Sequence, residues 1–180
     1  MNCKQILLIL FCFLGSCSLK NNKNSVDDWK IYSSDFIKEH LNKKFSYLDA
    51  SLEMDTLKNA PLKILYSVNI DCVTCLMKFS FWNKFEDLLK DKYGVSVPVI
   101  AVVRSDISYE SIDLKVSKYW NGIWLYDRND FFIEKNQLYD ERFQAVLVDK
   151  NDKIRLIGNP MLNEQLTELY EKTIVMLYKE

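Results

Sequence analysis

The chain has little glycine, little proline and a single histidine: 4 Gly, 3 Pro and 1 His among 180 residues. So few glycines and prolines argue against a disordered or loop-dominated chain. The formal net charge of −1 gives no electrostatic basis for binding nucleic acid. Hydrophobic residues make up 48% and aromatic residues 13% of the chain, which is enough for the core of one domain that follows a leader.

A long apolar run is also missing, and this bears on membrane attachment. The run ILLILFCFLG at residues 6–15 is too short to cross a bilayer as a helix. It leads into Leu-Gly-Ser-Cys at residues 14–17, a tetrapeptide that resembles a bacterial lipobox. We therefore expect residues 1–16 to be a lipoprotein signal peptide and Cys17 to carry the lipid.

This leader predicts the organisation and location of the rest of the chain. Residues 17–34 would comprise the lipidated cysteine and a polar tether, and residues 35–180 the folded domain, with its core at about 55–178. The lipid would hold the protein on a membrane surface. We expect a lipid-anchored protein of the cell envelope, on the periplasmic side of the outer or inner membrane.

The five cysteines then reduce to one pair. Cys3 and Cys12 leave with the leader and Cys17 is modified, so Cys72 and Cys75 remain in the folded domain. Export would place them in a compartment where disulfides persist. A closed zinc site needs about four ligands. Because two cysteines and the distant His40 are too few, we expect no metal, and we interpret His40 as a solvated helix residue.

The hydrophobic pattern alternates between strand and helix. Residues 62–68 and 97–103 are short apolar runs typical of buried strands, and residues 75–94 follow a helical period ending at Gly94. Residues 143–158 read as a hairpin. Further candidates are helices at 33–45, 108–119 and 163–178 and a strand at 123–127. This order predicts an α/β sandwich with a mixed sheet.

The cysteine pair lies where the first strong strand meets the first strong helix, in the sequence DCVTC. A cysteine at a helix N-terminus is close to the positive end of the helix dipole and to unpaired backbone N–H groups. Both favour the thiolate, which is the reactive form. A second cysteine three residues later can resolve a mixed disulfide. The spacing therefore suits thiol–disulfide exchange.

The same stretch carries a family resemblance. The strand, CVTC, an aromatic-rich helix, VPVIAVVRS and RFQAVLVDKNDKIRLIGNP together resemble the thioredoxin-like superfamily, most closely the lipid-anchored extracytoplasmic members of Bacteroides-type bacteria. The resemblance implies a three-layer sandwich, a mixed central sheet flanked by helices. It implies Cys72 as the nucleophile and Cys75 as the resolving thiol, with Phe143 and Gln144 bordering the substrate site. It requires no cofactor and implies partners that carry protein thiols or disulfides.

Three positions differ from the usual pattern of that superfamily. Asp71 stands where tryptophan is usual before the first cysteine, and Tyr66 stands where a buried acid is usual. Phe143 stands in the place of a cis-proline. A carboxylate next to Cys72 disfavours its thiolate and offsets part of the effect of the helix end.

Other functions are compatible with parts of this pattern. A thioredoxin-like copper chaperone would need a histidine downstream of its cysteines, and the chain has none there. A peroxidase would need a threonine or an equivalent where Asn69 stands. The main alternative is a catalytically silent interaction module in which Cys72 and Cys75 form a structural disulfide.

Overall fold

A computed structural model describes residues 36–41, 43–45, 60–71 and 73–179. The described residues from Ile37 onward belong to one compact unit. The predicted signal peptide, Cys17 and the whole predicted tether lie outside the described residues, and so does Cys72. None of the helices in the described ranges has the length and apolar character needed to span a membrane.

The described residues build a five-stranded sheet in the order β3-β2-β1-β4-β5. Strand β1 is Leu62–Asn69, β2 Val99–Arg104, β3 Ile123–Tyr126, β4 Ala145–Asp149 and β5 Ile154–Ile157. Strands β1, β2 and β3 are parallel, whereas β4 runs antiparallel to both β1 and β5. Strand β1 is central and is buried over seven of its eight residues, which explains its continuous apolar run.

Five α-helices connect and cover these strands: α1 is Val73–Met77, α2 Phe79–Tyr93, α3 Tyr109–Val116, α4 Phe131–Asn136 and α5 Glu164–Tyr178. Several helix ends follow from local chemistry. The Asn163 side chain caps α5 by accepting from the backbone N–H groups of two residues in its first turn. Gly94 ends α2 in the left-handed conformation, with φ 67°, and its N–H donates to Lys90 O at 2.9 Å.

Aromatic contacts define two faces of the sheet. On one face Trp82 of α2 packs on Tyr66 of β1 with ring centroids 5.3 Å apart. Phe85 of the same helix meets Tyr170 of α5 at 6.5 Å. On the other face Phe132 of α4 packs on Phe45 at 5.2 Å. The sheet therefore lies between two helical layers, which confirms the predicted α/β sandwich with a mixed sheet.

Most predicted elements are confirmed within a few residues. The helix predicted at 75–94 begins earlier, with α1, and is interrupted at Lys78. The helix predicted at 33–45 is helical at 36–40, and Lys44 forms a β-bridge with Lys153 instead. Helix α4 was not predicted.

One prediction about exposure is wrong. His40 is only 4% exposed and is not solvated, and it borders a small pocket together with Asn136 and Ile154. Leu169 of α5 is 46% exposed. The helix buries Leu166, Tyr170 and Ile174, which recur every four residues, and the Tyr170 hydroxyl donates to Ala145 O at 3.0 Å.

Candidate functional site

The candidate site lies at the edge of the sheet where the parallel strands end. Strand β1 ends at Asn69 and α1 begins at Val73, so Cys75 lies on the first turn of the helix that follows the central strand. Carboxyl ends of parallel strands meet at one edge of a sheet, which is where α/β folds place their ligands. The polar side chains that follow β1, β2 and β3 are therefore brought close together at this edge.

Cys75 is in a disulfide, and it is partly exposed on the first turn of the helical segment. Its partner lies outside the described residues, as do the other four cysteines of the chain. Val73, Thr74 and Met77 around it are exposed, whereas Leu76 is buried and anchors α1. Cys75 thus lies on a helical turn that carries both exposed and buried side chains.

A hydrogen-bonded acid stands immediately before Cys72. The Asp71 Oδ1 accepts a short hydrogen bond from the Ser105 hydroxyl, and the backbone N–H of Asp71 donates to Asn69 Oδ1 at 2.8 Å. Ser105 is 8% exposed and follows the end of β2. The acid that departs from the usual family pattern is therefore held in place by the neighbouring loop.

The loop after β2 is itself supported from β3. The Tyr126 hydroxyl donates to Ser105 O at 3.3 Å and to Ile107 O at 3.5 Å. The Ile107 N–H donates to the Ser105 hydroxyl oxygen at 3.3 Å. A pocket of about 490 Å³ opens beside this loop, and its walls include Asp106, Tyr109 and Arg128. Polar groups from three strand ends thus form one connected surface.

Asp127 also lies at this edge, but its carboxylate stabilises the start of a helix. Its carboxylate accepts from the N–H groups of Phe131 and Phe132, both at 2.9 Å, and so caps α4. Burial raises the pKa of Asp127, and the two N–H donors offset part of that increase.

On the opposite side of the cysteine pair, Tyr66 occupies the place of the usual buried acid. It is 2% exposed and lies on β1 beneath α2. Burial, and secondarily the negative charge of Glu141, raises the pKa of its phenol far above the ordinary value. A neutral phenol replaces a titratable acid here.

Phe143 and Gln144 lie directly before β4, in the place where a cis-proline is usual. Phe143 ends a 3-10 helix, Glu141–Phe143, and is 3% exposed, whereas Gln144 is half-buried. Gln144 O accepts from Ser67 N–H at 2.8 Å, which ties this segment to β1. None of the peptide bonds that the structure describes is cis. That these two residues border a substrate site stays a prediction.

Sequence reasoning overlooked Ser105, Ile107 and Tyr126. The signal that could have identified Ser105 is its place directly after a predicted buried strand, because the ends of β1 and β2 must lie side by side in a parallel pair. Ile107 and Tyr126 act through backbone groups and a single hydroxyl, for which the sequence carries no comparable signal.

Comparison with known proteins identifies the fold. No protein-family model and no curated protein matches the chain. A thiol:disulfide interchange protein from Bacteroides sp. is 16% identical with a TM-score of 0.50, over 74% of this chain and 88% of that one. Yeast Sco1 with copper bound is 16% identical with a TM-score of 0.53, over 67% and 79% of the two chains.

A secreted thiol-disulfide isomerase from Corynebacterium glutamicum is also similar, at 14% identity and a TM-score of 0.51, over 66% of this chain and 71% of that one. At such identities these likenesses establish the fold alone. Together with the strand order, the antiparallel hairpin and the flanking helices, they show that the described part of this chain has a thioredoxin-like fold.

Proposed function

We propose that this domain carries out thiol–disulfide exchange through Cys72 and Cys75. The observation that supports the proposal is the disulfide at Cys75, on the first helical turn after the central strand of a thioredoxin-like fold. Cys72 lies three residues earlier, at the spacing that lets a resolving thiol reach a nucleophile. Cys72 is the partner of Cys75 in this proposal.

The exchange conserves sulfur bonds, protons and electrons. In the reduced domain the Cys72 thiolate attacks one sulfur of a partner protein's disulfide, forms a mixed disulfide and displaces the partner's first thiolate. The Cys75 thiol loses its proton and attacks Cys72. The Cys72–Cys75 bond forms, the mixed disulfide breaks, and the partner leaves with two thiols. Two electrons have then moved from the domain to the partner, and no metal or organic cofactor takes part.

The location proposed for this exchange is the cell envelope. Cys17, which lies outside the described residues, would carry the lipid after removal of residues 1–16. A Cys17→Ser variant should then move from the membrane fraction to the soluble fraction, whereas Cys12→Ser should fractionate like the parent chain.

The redox proposal is tested by equilibrating the full chain with glutathione buffers of graded potential and counting free thiols by alkylation. We expect one two-electron transition at a potential above about −300 mV, because structural disulfides usually lie below that value. The transition should be absent from Cys72→Ser and from Cys75→Ser and unchanged in Cys3→Ser. Cys75→Ser should also trap a mixed disulfide with the partner. A disulfide that is reduced only at potentials below about −300 mV would contradict exchange and favour a silent interaction module.

A further inference from the structure

A small group of residues, which we name the carboxylate clamp, holds the carboxylate of Asp71, the residue that precedes Cys72 in the sequence. The clamp consists of Asp71, Ser105, Ile107 and Tyr126. The Ser105 hydroxyl donates to Asp71 Oδ1 and accepts from Ile107 N–H at 3.3 Å, so both its donor and an acceptor site are used. The hydroxyl therefore has a defined orientation, and it presents its proton to the carboxylate.

The clamp is anchored in the sheet. Ser105 follows β2 and is 8% exposed, and the Tyr126 hydroxyl at the end of β3 bonds the carbonyls on both sides of Asp106. Asp71 itself is exposed, but its backbone N–H is bonded to Asn69 Oδ1 at 2.8 Å. The carboxylate is therefore held by one hydrogen bond, from a hydroxyl that the ends of β2 and β3 position.

Nearby basic groups are engaged elsewhere. Arg104 pairs with Asp130 at 3.1 Å and donates to Ser67, and Lys78 faces Glu141 at 3.9 Å. Among the described residues, no lysine or arginine nitrogen comes within 4.0 Å of the Asp71 carboxylate. Asp106 in the adjoining loop adds a further negative charge. Arg128 and Asp106 both line the pocket beside this loop, so the edge carries charges of both signs.

We propose that Asp71, positioned by Ser105, disfavours the thiolate of Cys72 and so makes the domain an electron donor to partner disulfides. The inference depends on the exchange proposed above. A redox site is strongly oxidising when its reduced, thiolate form is stabilised. A fixed carboxylate next to the nucleophilic sulfur acts in the opposite direction. The oxidised domain is then restored by a protein dithiol, which takes up the disulfide as the domain regains two thiols.

The key variant is Asp71→Asn, which removes the charge and keeps the size of the side chain. Its matched control is Asp106→Asn, which removes the same charge one residue beyond Ser105 on a side chain outside the clamp. Two measurements are made from about pH 6 to about pH 9.5, a range that spans the ordinary thiol pKa of about 8.5. They are the rate of thiol alkylation and the equilibrium constant with glutathione.

We expect Asp71→Asn to lower the pKa of the attacking thiol and to favour the reduced form by roughly three- to tenfold, which is about 15 to 30 mV for a two-electron couple. The difference in equilibrium constant between Asp71→Asn and the parent chain should be small at about pH 6, where the thiols of both proteins are protonated. It should reach its full size above the thiol pKa. A merely structural effect would shift the equilibrium equally at every pH. Asp106→Asn should produce a markedly smaller change.

Ser105 provides a second, independent test. Ser105→Ala should shift the equilibrium in the same direction as Asp71→Asn but less, because the released carboxylate is better screened by water. Ser105→Thr retains a hydroxyl and should restore the parent value. In the Asp71→Asn background, Ser105→Ala should add nothing further.

The results separate the two proposals. If Asp71→Asn and Asp106→Asn shift the equilibrium equally, or if the Asp71→Asn shift is independent of pH, the clamp does not tune the couple and this inference is wrong. If the parent chain and Asp71→Asn both fail to equilibrate with glutathione, the exchange itself is wrong, and the clamp with it.

Discussion

The connection between β1 and α1 has different neighbours on its two sides. Polar groups at the surface lie toward β2, and buried aromatic rings lie toward β4. The first flank is the carboxylate clamp. The second, which we name the aromatic flank, consists of the buried rings of Tyr66 and Phe143. It also includes the neighbouring ion pair between Asp140 and Arg142, whose side chains are partly exposed. Burial supplies most of the stability of a fold, and fixed charge shifts thiol equilibria. The comparison therefore assigns stability mainly to the aromatic flank and thiol chemistry to the clamp.

The largest effect on stability should come from Phe143→Ala. The ring is 3% exposed, so its removal leaves a cavity and should lower the free energy of unfolding by about 3–5 kcal/mol. Urea unfolding monitored by circular dichroism measures this loss. Phe131, which is 47% exposed, gives the control, because Phe131→Ala should change stability by less than about 1 kcal/mol. Equal losses in the two variants would remove the basis for the aromatic flank.

Ser105→Ala should have the next largest effect on stability. It leaves the partly buried N–H of Ile107 and the Asp71 carboxylate without this hydroxyl, at a cost of about 1–2 kcal/mol. Ser96→Ala, at an exposed position in the loop before β2, should leave the urea midpoint unchanged. A neutral Ser105→Ala would mean that water replaces the hydroxyl and that the clamp is loose.

Tyr126→Phe tests the support of the clamp from β3. Its hydroxyl is shared between two carbonyls at 3.3 and 3.5 Å, so the loss should be about 0.5–1.5 kcal/mol. Tyr109 lies beside it, with ring centroids 6.1 Å apart, and its hydroxyl makes no hydrogen bond within the described part of the chain. Thermal unfolding of Tyr109→Phe should match the parent protein. If both variants lose the same stability, ring packing and not the hydrogen bonds supports the loop.

The smallest effect is expected at Asp140, and it depends on pH. The Arg142 guanidinium holds the pKa of Asp140 below its ordinary value of about 3.9, so the pair adds stability above that value and loses it as the pH falls through the lowered pKa. Asp140→Asn keeps an oxygen that can cap Arg142 N–H but removes the charge. At pH 7 the variant should be less stable by no more than about 1 kcal/mol, since both side chains are one-third exposed.

Unfolding measured from neutral to acid pH checks this sign. The difference between Asp140→Asn and the parent chain should close as the pH falls through the lowered pKa of Asp140, below which the parent carboxyl is also protonated. A difference that persists or widens in acid would show that the carboxylate acts through the cap alone.

Features that depend on residues close together in the sequence could be predicted, whereas features that depend on distant residues could not. Strand β1 and helix α2 carry continuous apolar or periodic patterns, so they could be predicted, and the hairpin was marked by its polar turn. Helix α4 was overlooked because it is only six residues long and its N-terminal N–H groups are capped by Asp127, which belongs to the end of β3.

Burial of single polar residues was harder to predict. His40 is polar and lies in a weak helical pattern. The neighbouring sequence does not indicate that His40 is buried or that it shares a pocket with Asn136 of α4. The bond between Ser105 and Asp71 joins residues 34 positions apart, so it required the parallel pairing of β1 and β2. The motif at Cys72 and Cys75 was visible in the sequence, but the groups that hold Asp71 were not.

The tryptophan beneath this site offers an optical consequence. Trp82 is fully buried against Tyr66, and its indole N–H has no hydrogen-bond partner among the described residues. An indole that is shielded from water emits at a shorter wavelength than one in water. Its emission shifts to longer wavelength when water enters. Because the chain has 4 Trp, a variant that keeps Trp82 and replaces the other three should report the packing between α2 and β1 without an attached dye.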